Sequence, residues 1–243
     1  MTRVSADWLA LREPADAAAR ARDLVEHIPA TRRHVIHDLG CGTGAMGRWL
    51  APLLPGPQHW VLHDRDEVLL EVAVANPPAG AVTVEPVLSD ATRVDLTGAT
   101  LVTCSALLDL LTEDELSRLV TTCVAAGCPA LLTLSVVGQV ELTPADPLDR
   151  RVAAAFNAHQ RRGGLLGPDA PAVAAEAFEQ AGAEVLVRPS PWRLGREHAD
   201  LTADWFAGWL GAACEQDPEL AAYRRGRLDS VTVGHADLLV LPR

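Results

Sequence analysis

The segment His37–Leu50, HDLGCGTGAMGRWL, holds the densest set of residues whose spacing could do chemistry. Gly40, Gly42 and Gly44 alternate between a short apolar run and a segment of helical period. Glycines in such a turn admit left-handed backbone and let a ligand approach the chain. The helix N-terminus that follows offers unpaired N–H donors. Gly42-x-Gly44-x-x-Gly47 also satisfies the dinucleotide pattern GxGxxG, which alone is a weak signal. Asp38 discriminates between ligands. A carboxylate at the strand's end would repel a pyrophosphate but attract an ammonium or sulfonium group.

These residues need a scaffold that brings several strand ends together. Residues 6–28 read as a helix from Trp8, Leu9, Leu11, Ala15, Ala18, Ala19, Leu24 and Val25. A strand–helix unit then recurs: Arg33–Leu39 with Gly44–Leu54, and Trp60–His63 with Asp66–Ala75. Val82–Leu88 follows with a loop, then Leu101–Ser105 with Glu113–Val124, and Ala130–Val136 with helices beyond. Such alternation predicts an α/β fold with a doubly wound, mostly parallel sheet and helices on both faces. The tail offers two more strands, Ala183–Arg188 and Val231–Leu241, separated by helices around Ala199–Cys214 and Pro218–Arg227. We expect a single domain over residues 1–243. It comprises an N-terminal helix (1–30), a core (33–136), an insertion (137–171) and helices in 190–230 that shape a ligand site.

Asp38-Leu39-Gly40-Cys41-Gly42-Thr43-Gly44 resembles motif I of the class I S-adenosylmethionine (SAM)-dependent methyltransferases. Later landmarks fall where that family places them. Asp64, in WVLHDRD, is similar to the acid that binds the ribose hydroxyls, with Arg65 beside it. Asp90-Ala91 resembles the acid and small residue that meet the adenine. Ser105-Ala106 is similar to the segment lining the far side of the cofactor. The resemblance runs through about residues 33–136 and implies seven strands, the last antiparallel. The opening WLALREPAD resembles the N-terminal helix of some bacterial members, which implies Arg12 near the methionine carboxylate. Asp66 is an alternative ribose ligand, though it reads better as the N-cap of the next helix.

Methyl transfer is an in-line displacement, so the protein must align an acceptor and, where it is protonated, remove a proton. The signature of nucleic-acid and glutamine amino-methylating enzymes is absent after the fourth strand, where the chain reads SALLDLL. Asp109 is the ionisable group there and a candidate base; the alternative is a solvent-facing helix-start Asp. His159, on an Ala-rich helix in the insertion, is a second candidate, against a surface or packed histidine. Arg150, Arg151, Arg161 and Arg162 read as a solvated face. Trp192, Trp205, Phe206 and Trp209 read as core, with an aromatic substrate wall as the alternative. His34, His37, His59 and His63 lack metal-ligand spacing, so no metal is expected.

Composition narrows the partners. All 21 basic residues are Arg, and the formal charge is −11, which opposes polyphosphate and anionic lipid. No nucleic-acid or membrane partner is expected, and an rRNA or protein acceptor is disfavoured. Residues 1–12 lack an apolar signal-peptide core, and the uncharged run Leu119–Val140 is broken by Gly127, Pro129 and Gly138. The five scattered cysteines suggest reduced thiols in a cytoplasmic protein. The expected function is SAM-dependent methylation of a small molecule at O, N or C. The rivals are a non-catalytic SAM-binding subunit and a nicotinamide oxidoreductase.

Overall fold

The computed structural model describes residues 4–223, 226 and 228–243. Its strands are β1 (His34–Leu39), β2 (Gln58–Asp64), β3 (Val82–Leu88), β4 (Leu101–Ser105), β5 (Ala130–Thr143), β6 (Glu184–Pro189), β7 (Trp192–Leu194) and β8 (Ser230–Leu241). Its α-helices are α1 (Ala6–Ala19), α2 (Ala45–Leu50), α3 (Glu67–Ala75), α4 (Glu113–Ala126), α5 (Asp149–Gln160), α6 (Ala170–Gln180) and α7 (Ala199–Gln216). The sheet order is β3-β2-β1-β4-β5-β8-β6, with β7 also paired to β8. β1 to β5 run parallel, and β8 lies antiparallel between β5 and β6. The strand order reverses between β1 and β4, the place where open α/β sheets bind ligands.

Two buried clusters cover the sheet. One packs Leu39, Val102, Cys104, Leu132, Leu238 and Val240 against Leu116, Leu119 and Phe178 of α4 and α6. The opposite face packs Ile36, Leu101, Leu131 and Leu239 against Leu24, Met46, Leu50, Leu70 and Ala73. Helix α4 is fixed at its start by a reciprocal Thr112–Glu115 capping box and stopped at Gly127. A third cluster joins α1, α7, β7 and the overhang of β8, and it contains Trp192, Trp209 and Tyr223. Trp205 stacks on Trp209 at 5.3 Å with Trp209 buried, so the aromatic group is a helix-packing core.

The structure departs from the expected elements at four places. The N-terminal helix breaks at Arg20 and resumes as a 3-10 turn, Arg22–His27. The sheet gains an eighth strand, the three-residue β7, which pairs with Val231–Val233. β5 continues seven residues past Val136 to Thr143, so the start of the expected insertion is strand. Its alternation is masked by register shifts at Leu132/Ser135 and Val136/Val140, and by Gly138. Gly138 holds φ +72, and a Cβ there would lie 2.7 Å from Asn157 Nδ2, which donates to the Gly138 carbonyl at 2.9 Å. Finally, the second tail helix contracts to a 3-10 turn, Pro218–Ala222, and part of its expected range (224, 225 and 227) lies outside the described residues.

His37 and His63 form a buried pair on β1 and β2, with Nδ1 of one 3.0 Å from Nε2 of the other and His63 Nδ1 2.9 Å from Ser89 Oγ. Burial lowers His37, and burial together with His37 lowers His63 to about 4; Asp95, His59 and Glu85 act more weakly. A histidine lowered in the fold binds fewer protons than it does unfolded. Its contribution is therefore present above the unfolded value of 6.5 and lost as pH falls toward 4. Denaturant titrations should show this loss in wild type and a flatter profile in His63→Gln.

Candidate active site

The glycine turn is built as its residue types require. Gly40, Gly42 and Gly44 hold φ of +67, +55 and +82, which L side chains rarely adopt. A Cβ on Gly42 would lie 3.0 Å from Leu9 Cδ1, and one on Gly40 would lie 3.2 Å from Leu107 Cδ2. The loop is thus a bare backbone cradle, with apolar side chains from α1 and the β4 exit against it. Cys41 is buried there, and burial raises its thiol, so it serves packing rather than nucleophilic chemistry.

Three acids stand at the ends of β1, β2 and β3. Asp64 Oδ2 accepts from the Gly42 N–H at 2.8 Å and Oδ1 from the Asp66 N–H at 2.9 Å, so this carboxylate sets the loop's height. Asp66 caps α3 by accepting from Val68 N. Asp90 Oδ1 accepts from the N–H and hydroxyl of Thr92, both at 2.9 Å. Those bonds, the backbone one foremost, hold Asp90 below its ordinary range. Arg65 follows Asp64 in the loop before α3, and Ala91 follows Asp90.

Asp38 is different. It is 1% exposed, accepts from Thr103 Oγ1 at 2.7 Å on Oδ1, and has no partner for the buried Oδ2. Burial raises it to about 6, against the opposing effects of the Thr103 bond and of Arg20. Arg20, at the break after α1, is also buried. It reaches Ser105 Oγ at 3.1 Å and Thr133 Oγ1 at 3.4 Å, and its guanidinium lies over Trp49 at 5.3 Å. Its Nη1 has no partner either. The fold therefore carries two orphaned buried atoms of opposite charge on one face of the sheet. Leaving such groups unpaired is costly unless a ligand completes them.

Arg20 was not legible as a site residue in a run reading AARARD. Arg12, the arginine that the resemblance points to, is engaged by Asp16 of the same helix. Its Nε and Nη2 donate to Asp16 at 2.9 and 3.1 Å, and it lies over Trp192 at 5.0 Å. Arg48 is a second residue that sequence reading passed over. It donates to both Glu13 oxygens, at 2.8 and 2.6 Å, and to the Thr43 carbonyl at 2.6 Å, so it ties α1 to the glycine turn.

Beyond Ser105 the chain turns sharply. Ala106 holds φ +52 and donates its N–H to the Thr133 carbonyl at 2.9 Å. A left-handed non-glycine residue costs about 1–2 kcal/mol and clusters at functional sites. The turn leads to Asp109 in a 3-10 segment, Leu108–Leu110. Burial raises Asp109, while its own N–H and Arg12 oppose that rise, so Asp109 and Arg12 share one neighbourhood. His159 lies elsewhere, on α5, with Glu215 of α7 3.2 Å from Nε2 and Arg162 3.3 Å from Nδ1. Arg151, Arg161 and Arg162 are taken up in surface ion pairs with Asp217 and Glu219, Asp169, and Glu215. Among the described residues, no cluster of three or more metal-ligand side chains exists, and no helix is long and apolar enough to cross a membrane.

The seven-strand sheet path with its reversed β8, and the glycine turn at the switch point, define the class I methyltransferase fold. Residues 36–129 match the family model of the methyltransferase domain. No curated protein matches the sequence. Solved structures with the same fold include a protein of Bacillus halodurans C-125 provisionally described as a methyltransferase. It is 17% identical over 91% of this chain and 98% of that one, with a TM-score of 0.57. The cyclopropane synthase MmaA2 of Mycobacterium tuberculosis is 13% identical over 96% and 94%, with a TM-score of 0.56. A SAM-dependent methyltransferase of Mesorhizobium loti is 20% identical over 91% and 99%, with a TM-score of 0.50. At these identities the structures speak for the fold alone. The chain has the fold of the class I SAM-dependent methyltransferases, and residues 36–129, less than half of its length, match the methyltransferase domain.

Proposed function

We propose that the protein transfers the methyl group of SAM to a small-molecule acceptor. The observation that carries the reading is the pair of orphaned buried atoms, Asp38 Oδ2 and Arg20 Nη1. A carboxylate and a guanidinium on one face of the sheet suit the two ends of an amino-acid zwitterion. Asp38 would take the ammonium and Arg20 the carboxylate. Arg12, committed to Asp16, would hold Arg20's surroundings rather than the ligand. Asp64 keeps lone pairs for the ribose hydroxyls beside the N–H bonds it already accepts. Asp90, with the small Ala91 next to it, would accept from the adenine amine. Gly40, Gly42 and Gly44 give close backbone approach, with Ser105 and Ala106 on the far wall.

When bound, SAM supplies a methyl carbon already activated by the sulfonium charge. The chain's task is to exclude water, align the acceptor and receive a proton where the acceptor carries one. Asp109 is the candidate proton acceptor. The methyl–sulfur bond would be exchanged for a methyl–acceptor bond, leaving S-adenosylhomocysteine, while the Asp109 carboxylate would receive the acceptor's proton. The charge of −11 disfavours an RNA acceptor.

SAM should raise the melting temperature and NAD(P) should not, and supplied acceptors should release S-adenosylhomocysteine. Stabilisation by SAM with no turnover on any acceptor would support a non-catalytic SAM-binding role instead. Affinity for SAM should also fall as pH drops below about 6, by up to about tenfold per unit, because protonated Asp38 cannot hold an ammonium. Calorimetry between pH 5 and 8 checks this. Asp109→Asn should lower kcat by about 100-fold for a hydroxyl acceptor while leaving SAM affinity unchanged.

A further inference from the structure

β5 and β8 overhang the sheet. β4 ends at Ser105, paired with Thr133, whereas β5 runs on and β8 returns beside it, pairing Val136 with His235. Polar side chains continue on the Asp38 face across these strands: Thr103 and Ser105, then Thr133, then Asp237 and His235. Asp237 ties this row to the helix break, accepting from the Ala21 N–H at 2.8 Å and from the Leu134 N–H at 2.7 Å. His235 is the last of the row, 4% exposed, and farthest from the glycine turn.

Its chemistry is set by one bond. His235 Nδ1 lies 3.0 Å from the Val233 carbonyl oxygen. A carbonyl only accepts, so Nδ1 carries the proton and Nε2 is left as a bare lone pair. Among the described residues no hydrogen bond reaches Nε2, and the atom is not sealed from solvent as Asp38 Oδ2 and Arg20 Nη1 are, so it borders space that a ligand's donor could enter. Burial, with Arg12 adding to it, lowers His235 to about 3, so the ring is neutral at any working pH. Its surroundings are built from β7 and α1. The ring packs on Trp192 at 5.3 Å, Trp192 Nε1 donates to Asp16 at 2.9 Å, and Arg12 lies over the other part of that wall at 5.0 Å. Arg12 is also the group that Asp109 senses.

We propose that His235 selects and orients the methyl acceptor, its Nε2 accepting a hydrogen bond from an O–H or N–H group of a neutral small molecule. This rests on the methyltransferase reading above. Held by that bond, the molecule presents a second heteroatom, whose lone pair attacks the methyl carbon and whose own proton, where it has one, goes to Asp109. An acceptor without a donor hydrogen, such as a carboxylate, would face the His235 lone pair with its own and be rejected. His235 takes no proton; it fixes the molecule that carries the attacking atom.

The test uses the full chain with SAM at pH 8 and four acceptor probes: catechol, glycerol, imidazole and benzoate. At least one O–H or N–H probe should be methylated and benzoate should not. His235→Phe should lose about 100-fold in kcat/KM on that probe, His235→Gln should keep part of it, and both should bind SAM as wild type does. Nitrogen NMR of the wild-type ring should show Nδ1 protonated and Nε2 bare from pH 5 to 8. The Nε2 signal should shift when the probe is added with S-adenosylhomocysteine. Methylation of benzoate alone, no methylation of any probe despite SAM binding, full activity of His235→Phe, or the opposite tautomer would each overturn the proposal. Failure of wild type to bind SAM is a distinct result, and it would remove the cofactor reading and this inference together.

Discussion

Replacing Asp38 with Asn is expected to weaken SAM binding by about 100-fold and, at the same time, to stabilise the ligand-free protein at pH 8. The two effects share one cause. Truncating one member of a buried charge pair costs about 2–5 kcal/mol of binding. Asp38 is the buried carboxylate with an unfilled oxygen, and Asn cannot return a charge to an ammonium. In the ligand-free protein the same carboxylate is a burden. Its fold value of about 6 stands above the ordinary 3.8, so the folded state binds a proton that the unfolded state does not. The cost is therefore present above about 6 and relieved as pH falls toward 3.8. Asn keeps the bond from Thr103 without the charge. Its stabilising effect should be largest at pH 8 and vanish near pH 4, where Asp38 is itself protonated. Thermal melts at both pH values, beside calorimetry with SAM, check this. An Asn variant that binds SAM normally would remove Asp38 from the site.

Arg20→Met should act in the opposite direction on stability, by about 3–5 kcal/mol. Arg20 lies near Asp16, Asp237 and Asp38, and all three are buried. Met fills much of the volume but takes the buried cation from those carboxylates, and half-buried Arg12 is already held by Asp16. For a chain of this size, such a loss lowers the melting temperature by about 10 °C. SAM affinity should fall as well. Arg20→Lys should recover charge but not the two-pronged reach to Ser105 and Thr133, so it should fall between wild type and Met. Adding Asp38→Asn to Arg20→Met should restore part of the stability, because it removes one uncompensated charge. Denaturant unfolding of the three variants checks this; an Arg20→Met protein within 1 kcal/mol of wild type would mean that water already serves these carboxylates.

The strand–helix alternation was legible because parallel strands buried on both faces are continuous apolar runs, and each ends in a turn with a glycine or an acid. The break in the first helix was not, since Ala19-Arg20-Ala21 has nothing but good helix formers. It is pulled open by Asp237, 216 residues away, which takes the Ala21 N–H. β7 was hidden for a similar reason. Three residues between Pro191 and Gly195 have no period to read, and they become strand only because the overhang of β8 is there to pair with them.

The sequence by itself determined the glycine turn and the acids at the ends of β1 to β3, and their pattern resembles a SAM site. Those features are local. A positive φ selects glycine, and a carboxylate at a strand's end faces whatever lies over the turn, whichever distant residues surround it. Only the tertiary structure decided which arginine is buried near Asp38, which histidine is fixed in one tautomer by a backbone carbonyl, and which carboxylates are left uncompensated. Arg12 and Arg20, or His159 and His235, are equivalent as residue types. What separates them is burial and long-range pairing: a side chain sealed under the sheet's overhang must be satisfied there, whereas one at the surface is satisfied by water or by any passing charge.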